Sequence, residues 1–165
     1  MPNQNPGMKY LSYLFLVAVF ASSLSSCAAP GGGVAQTQLG PHSGQKFVLV
    51  QRRSGARDSD PQAGHTIAIV IKVEQNMING EQEIKASAGA HSDGPGGPLA
   101  NVDALSVRLL QPSEAKTEPR KTGEARITKT IPAQGGKFRT VVAQAIASSS
   151  DFPDTTVELT IPGDQ

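Results

Sequence analysis

Cysteine and aromatic rings are nearly missing from this chain. One cysteine, no tryptophan, two tyrosines and five phenylalanines occur in 165 residues. A single cysteine excludes an intramolecular disulfide, so any folded domain must stand on apolar burial alone. Tyr10, Tyr13, Phe15 and Phe20 are gathered near the start, which leaves Phe47, Phe138 and Phe152 for everything that follows. Platforms for sugars and for single-stranded nucleic acid stack their ligands on aromatic faces, so neither carbohydrate nor nucleic acid is an expected partner. Charge of one sign is missing too. The chain has 15 Lys and Arg against 14 Asp and Glu, and setting Lys9 aside leaves 14 against 14. Nothing in that balance makes a surface for nucleic acid or anionic lipid. Arg52-Arg53 and Arg120-Lys121 read as solvated pairs in turns or at edges. Long apolar runs are also lacking. The longest, from Leu11 to Ala21, is far short of the roughly twenty residues that a helix needs to cross a bilayer, which disfavours a permanent transmembrane helix.

What is present at the start is a leader. Residues 1–10 are polar with one basic side chain, Lys9, and Met8-Lys9-Tyr10 would make a compact basic beginning by itself. A short apolar centre follows, then the small residues Ala21, Ser22 and Ser23: the layout of an export signal. It closes on Leu24-Ser25-Ser26-Cys27. These four residues resemble the lipobox of bacterial lipoproteins, and the position and preceding apolar run agree. The resemblance implies diacylglycerol attachment to the Cys27 sulfur, cleavage before Cys27 and often acylation of the new amine. Two or three acyl chains anchor stably where one alone binds marginally. Residues 1–26 are thus expected to be a signal peptide and Cys27 the lipid attachment site, with the protein at the cell envelope. Ala28 stands where Asp would retain a lipoprotein at the inner membrane, so the periplasmic face of the outer membrane is the expected address in a Gram-negative cell.

Residues 28–45 are rich in Gly, Pro and small polar side chains, and the segment 27–45 reads as a lipidated, flexible tether. Eighteen such residues span roughly 25 Å r.m.s.. From Lys46 the pattern has period two. Phe47–Val50 opens as an apolar strand, and 65–73 alternates with Ile67, Ile69, Ile71 and Val73 on one face. Asn79-Gly80 supplies a hairpin signal, since both residues tolerate the positive φ of a type I′ turn. A two-residue turn there pairs residues whose numbers sum to 159. Val73 then faces Ala86, Ile71 faces Ala88 and Glu74 faces Lys85, and a slip of one would spoil both faces. Further strands are expected over Val102–Leu110, Ala125–Ile131, Lys137–Ala147 and Thr156–Ile161, with loops at 54–64, 89–101, 111–123, 132–136 and 148–154. About seven strands in one domain over 46–165 predict an all-β, immunoglobulin-like antiparallel sandwich, with a barrel as the alternative. Gly136–Val142 and Thr156–Pro162 resemble the final hairpin of small bacterial periplasmic immunoglobulin-like domains, some of which accompany metal or respiratory enzymes.

The candidate chemistry is thin. His91-Ser92-Asp93 holds the letters of a hydrolase triad, but adjacent residues cannot adopt its geometry, and the stretch reads as a polar loop. Asp58-Ser59-Asp60 begins like a calcium loop, yet Gln62 takes the next ligand position, the turn glycine comes one place late at Gly64 and no Glu closes it. His42, His65, His91 and Met77 are the remaining soft or imidazole donors, and no two share a metal-like spacing. His65 and Met77 would stand about 40 Å apart on one continuous strand. No metal or other cofactor and no catalytic residue is expected. The reading is a non-enzymatic module that binds another envelope protein or supports assembly of a complex, contacting it through the loops 111–123 and 89–101. The alternative is a periplasmic metal-handling or respiratory-complex accessory protein.

Overall fold

A computed structural model of the chain describes residues 34–53, 66–121 and 123–165. Residues 1–26, expected to be a signal peptide, and Cys27, Asp58-Ser59-Asp60 and His65 lie outside the described residues. Nine strands are described: β1 (Val34–Gly40), β2 (Ser43–Gln51), β3 (Thr66–Ile78), β4 (Glu81–Ser92), β5 (Ala104–Gln111), β6 (Ala115–Lys116), β7 (Glu124–Pro132), β8 (Val141–Ser149) and β9 (Phe152–Ile161). They form two antiparallel sheets, in the order β1-β2-β3-β4-β7 and β6-β5-β8-β9. The all-β sandwich expected from alternation and turn spacing is what the chain adopts. Its strand order differs from the A-B-E-D over C-F-G order of an immunoglobulin constant domain. Here β1 to β4 run as a meander in one sheet.

The hairpin arithmetic holds residue by residue. Asn79 and Gly80 take φ of 51° and 79°, and β3 and β4 pair with Val73 opposite Ala86, Ile71 opposite Ala88 and Glu74 opposite Lys85. The inward rows are Ile67, Ile69, Ile71 and Val73 from β3 and Ile84, Ala86, Ala88 and Ala90 from β4. Facing them are Leu105, Val107 and Leu109 from β5, Val141 to Ala147 in alternation from β8, and Val157, Leu159 and Ile161 from β9. The facing sheets thus set long aliphatic side chains against the alanine rows of β4 and β8, so that large and small alternate across the interface and the core fills. Gly44 marks how closely the sheets approach, since a Cβ there would come within 2.7 Å of Ile161 Cδ1.

Several boundaries differ from the sequence reading: β8 starts at Val141 rather than Lys137, β9 starts at Phe152 rather than Thr156, and strands occupy parts of segments read as tether or loop. The segment taken as tether to residue 45 contains β1 and the first residues of β2, paired from Val34–Val48 to Gly40–Ser43. Among the described residues the sandwich therefore begins at Val34. An edge strand needs only backbone pairing on one side, so it can lack the apolar alternation that reveals an inner strand. The expected loop at 89–101 starts four residues late: β4 continues through Ser92, and His91 sits on it opposite Ala68. The expected loop at 111–123 contains β6, and its remainder is tied to β5 by Thr117 N to Val107 O at 3.0 Å and by reciprocal bonds between Leu105 and Arg120.

Candidate functional site

The turn Pro41-His42, the start of β8, the end of β5 and the tail after β9 gather at one end of the sandwich. Antiparallel pairing dictates this, because Gln111 and Ile161 both flank the first residues of β8 and the β2 start packs on Ile161. An open groove of about 710 Å³ lies there, lined by Gln111, Gln134, Lys137, Phe138, Arg139 and Asp164 among others.

Its floor is built by polar bonds of long sequence separation. Gln82 is fully buried on β4. Its side-chain amide brackets one backbone unit: Oε1 accepts from Arg139 N at 2.8 Å and Nε2 donates to Arg139 O at 3.0 Å. The same Nε2 also donates to Gln75 Oε1. A carboxamide can copy a strand's donor and acceptor pair, and here it joins the segment before β8 to the opposite sheet. The C-terminal residues then zip onto that segment. Asp164 N donates to Phe138 O and Phe138 N to Asp164 Oδ2, both at 2.9 Å, and Gly163 N donates to Thr140 Oγ1 at 3.2 Å. Only glycine fits at 163, since a Cβ would meet Phe138 O at 2.4 Å. Lys137 Nζ donates to Gln165 O at 2.5 Å.

Among the described residues Phe138 is the one aromatic ring that lines the groove. His42 stacks on Phe138 with ring centroids 4.0 Å apart and planes inclined by 22°. Its Nε2 stands 3.4 Å from Asp164 Oδ1, while Nδ1 is buried without a hydrogen-bond partner among the described residues. The groove thus offers amide donors (Gln111, Gln134), cations (Lys137, Arg139) and one ring face. That set suits oxygen acceptors such as carboxylates and peptide carbonyls.

The other candidates are dispersed. His91 Nδ1 lies 2.8 Å from Gly97 O, and residues 93–99 fold back as a flap held by Ser92 N to Pro98 O at 2.9 Å and Ala100 N to Ala90 O at 2.8 Å. Ser92 is buried facing away from His91 on the alternating strand and Asp93 is exposed, so the triad letters do not converge. Met77 is half-buried near the end of β3. Arg52, expected in a solvated pair, is 3% exposed, donating to Asn101 O at 2.7 Å and standing 3.8 Å from Asp151 Oδ2 at the opposite end of the sandwich; Arg53 is exposed. Of the loop 111–123, only Gln111 and Pro112 reach the groove. Among the described residues, no three His, Cys, Asp or Glu come together as a metal-binding group. The groove itself escaped the sequence reading. Its one signal was Phe138, among the few aromatics after residue 26.

No family model, curated protein or solved structure matches the chain.

Proposed function

We propose that this chain is an envelope lipoprotein, held to the membrane by acyl chains on Cys27, whose sandwich binds another envelope protein rather than catalysing a reaction. The observation that carries the reading is Leu24-Ser25-Ser26-Cys27 at the end of a short apolar run. The groove at the His42 end gives the binding role a place, and its donors fit an acidic or carbonyl-rich segment of a protein. In a cell with two membranes the periplasmic face of the outer one is the destination, since Ala28 follows Cys27. Cross-linking from intact membranes tests the binding role. The wild type should yield one reproducible partner, and Lys137→Glu with Arg139→Glu should lose it. Absence of any partner, together with turnover of a substrate, would sink the proposal.

A second reading has one observation behind it. His42 Nε2 approaches Asp164 Oδ1 beside the groove, and that pair of potential ligands supports a metal-handling accessory role. Calorimetry with cuprous, cupric and zinc ions decides it: binding weaker than millimolar removes this reading.

A further inference from the structure

The sandwich has four edge strands, and they are not equally guarded. A bare edge exposes a row of backbone donors and acceptors that will pair with another strand, and proteins block such edges with charge, proline or brevity. β7 carries Glu124, Arg126, Lys129 and Pro132. β9 carries Pro153, Asp154 and Glu158. β6 is two residues long, and the segment after it covers β5. β1 reads Val-Ala-Gln-Thr-Gln-Leu-Gly, without a charge or a proline. Its pairing with β2 is regular from Val34 to Thr37, with a register shift only between Thr37 and Gly40. Among the described residues no strand pairs with its other side.

We infer that β1 is a self-association edge, at which two copies of this chain pair their β1 strands antiparallel about a two-fold axis at Thr37. The composition of the strand selects this occupant. An antiparallel two-fold pair centred on Thr37 sets each residue opposite the one whose number completes 74: Val34 meets Gly40, Ala35 meets Leu39, Gln36 meets Gln38 and Thr37 meets its own copy. Every such pair is uncharged, so the strand is complementary to itself, which a two-fold interface requires and which like charges directly opposite would oppose. Pairing β7 with itself would instead seat Pro132 in the new ladder, where it cannot donate. The two five-stranded sheets would join into one of ten strands. An edge contact of seven residues is small beside a standard interface, so the pairing is weak in dilute solution. Confinement of both copies to a membrane raises their effective concentration; this strengthening rests on the proposed anchor, whereas the pairing itself does not.

Thr37→Cys tests the inference in the full-length chain, in two backgrounds. Thr37 is exposed, and paired positions on a two-fold lie within disulfide reach. With Cys27 intact, oxidation of membranes should give a disulfide dimer on a non-reducing gel. With Cys27→Ser, residue 37 carries the one thiol, and the purified protein at high concentration should give the same dimer. Thr156→Cys, on an exposed site of β9, should stay monomeric in both. Adding Gln36→Lys and Gln38→Lys sets like charges opposite one another and should abolish the dimer. A monomer at position 37 in both backgrounds overturns the inference. A mixed disulfide with another protein in place of the dimer overturns it too and assigns the edge to that protein. Dimerisation that persists with Cys27→Ser while the chain leaves the membrane separates this inference from the anchoring proposal. A wild type that cross-links through Cys27 refutes the anchor and leaves the β1 result intact.

Discussion

Gln82 illustrates how one polar side chain can decide whether a site exists. It is buried completely, and its three bonds satisfy the Arg139 backbone and the Gln75 carbonyl. Gln82→Leu keeps the volume and strands those groups, and each buried group left unpaired costs about 1–3 kcal/mol. The expected loss is about 3 kcal/mol, read as a lower urea midpoint at unchanged slope, with broadening of backbone signals at 138–140. Gln144 bonds Glu158 at 2.8 Å in the open, and Gln144→Ala should move stability by no more than about 0.5 kcal/mol. A surface pair offers a titration test. Glu83 Oε2 lies 2.8 Å from Lys85 Nζ. The bond from Lys85 holds the Glu83 carboxyl below its ordinary 4.5, and Glu83 holds the Lys85 ammonium above its ordinary 10.5. The Glu83 contribution is present above 4.5 and disappears as pH falls through the lowered value. The Lys85 contribution is present below 10.5 and disappears as pH rises through the raised one. Glu83→Gln should bring the Lys85 titration, followed by NMR, down towards 10.5.

At the scale of elements, the legible parts were those in which local chemistry and pairing agree. Asn79-Gly80 fixes its own turn, and the register that follows from it puts apolar opposite apolar on the inward face from Ile69–Ala90 to Val73–Ala86. Gly80→Val should cost about 1–2 kcal/mol, since φ of 79° is a left-handed conformation; thermal unfolding measures it. The inward faces of β5 and β9 were equally plain, because a strand buried on one face displays period two. β1 was hidden for the opposite reason. Its own residues hold no Gly or Pro before Gly40, but Gly31–Gly33 and Gly40-Pro41 flank it and give the window the composition of a linker. The groove was illegible because it depends on contacts between distant residues: His42 with Phe138, Gln82 with Arg139, Phe138 with Asp164. The flap can be tested at Gly97, where a Cβ would stand 1.9 Å from Ser92 O. Gly97→Ala should detach it and raise hydrogen exchange at the Ser92 and Ala100 amides while the β3–β4 pairing stays protected.

For the molecule as a whole, anchoring and folding should be separable. Among the described residues the core of the sandwich is drawn from residues 67 to 161, so Cys27→Ser should free the protein from membranes washed with carbonate and leave its melting temperature within about 1 °C of the wild type, as expected for a change far from that core in sequence. Retention in the washed membrane would refute the lipid attachment.

The direction of β1 has a consequence for reach. The strand starts at Val34, opposite Val48, and ends at Gly40, opposite Ser43. If Cys27 is acylated, the seven steps from it to Val34 extend no further than about 24 Å. The leash enters at the Arg52 end, and the groove lies about 20 Å further along the strand, at roughly 3.3 Å per residue. A lipid anchor would then restrain one end of the molecule and leave the His42 end outermost. What meets the groove would have to be a protein tall enough to present an acceptor tens of ångströms above the headgroups, and lengthening residues 28–33 would change that height.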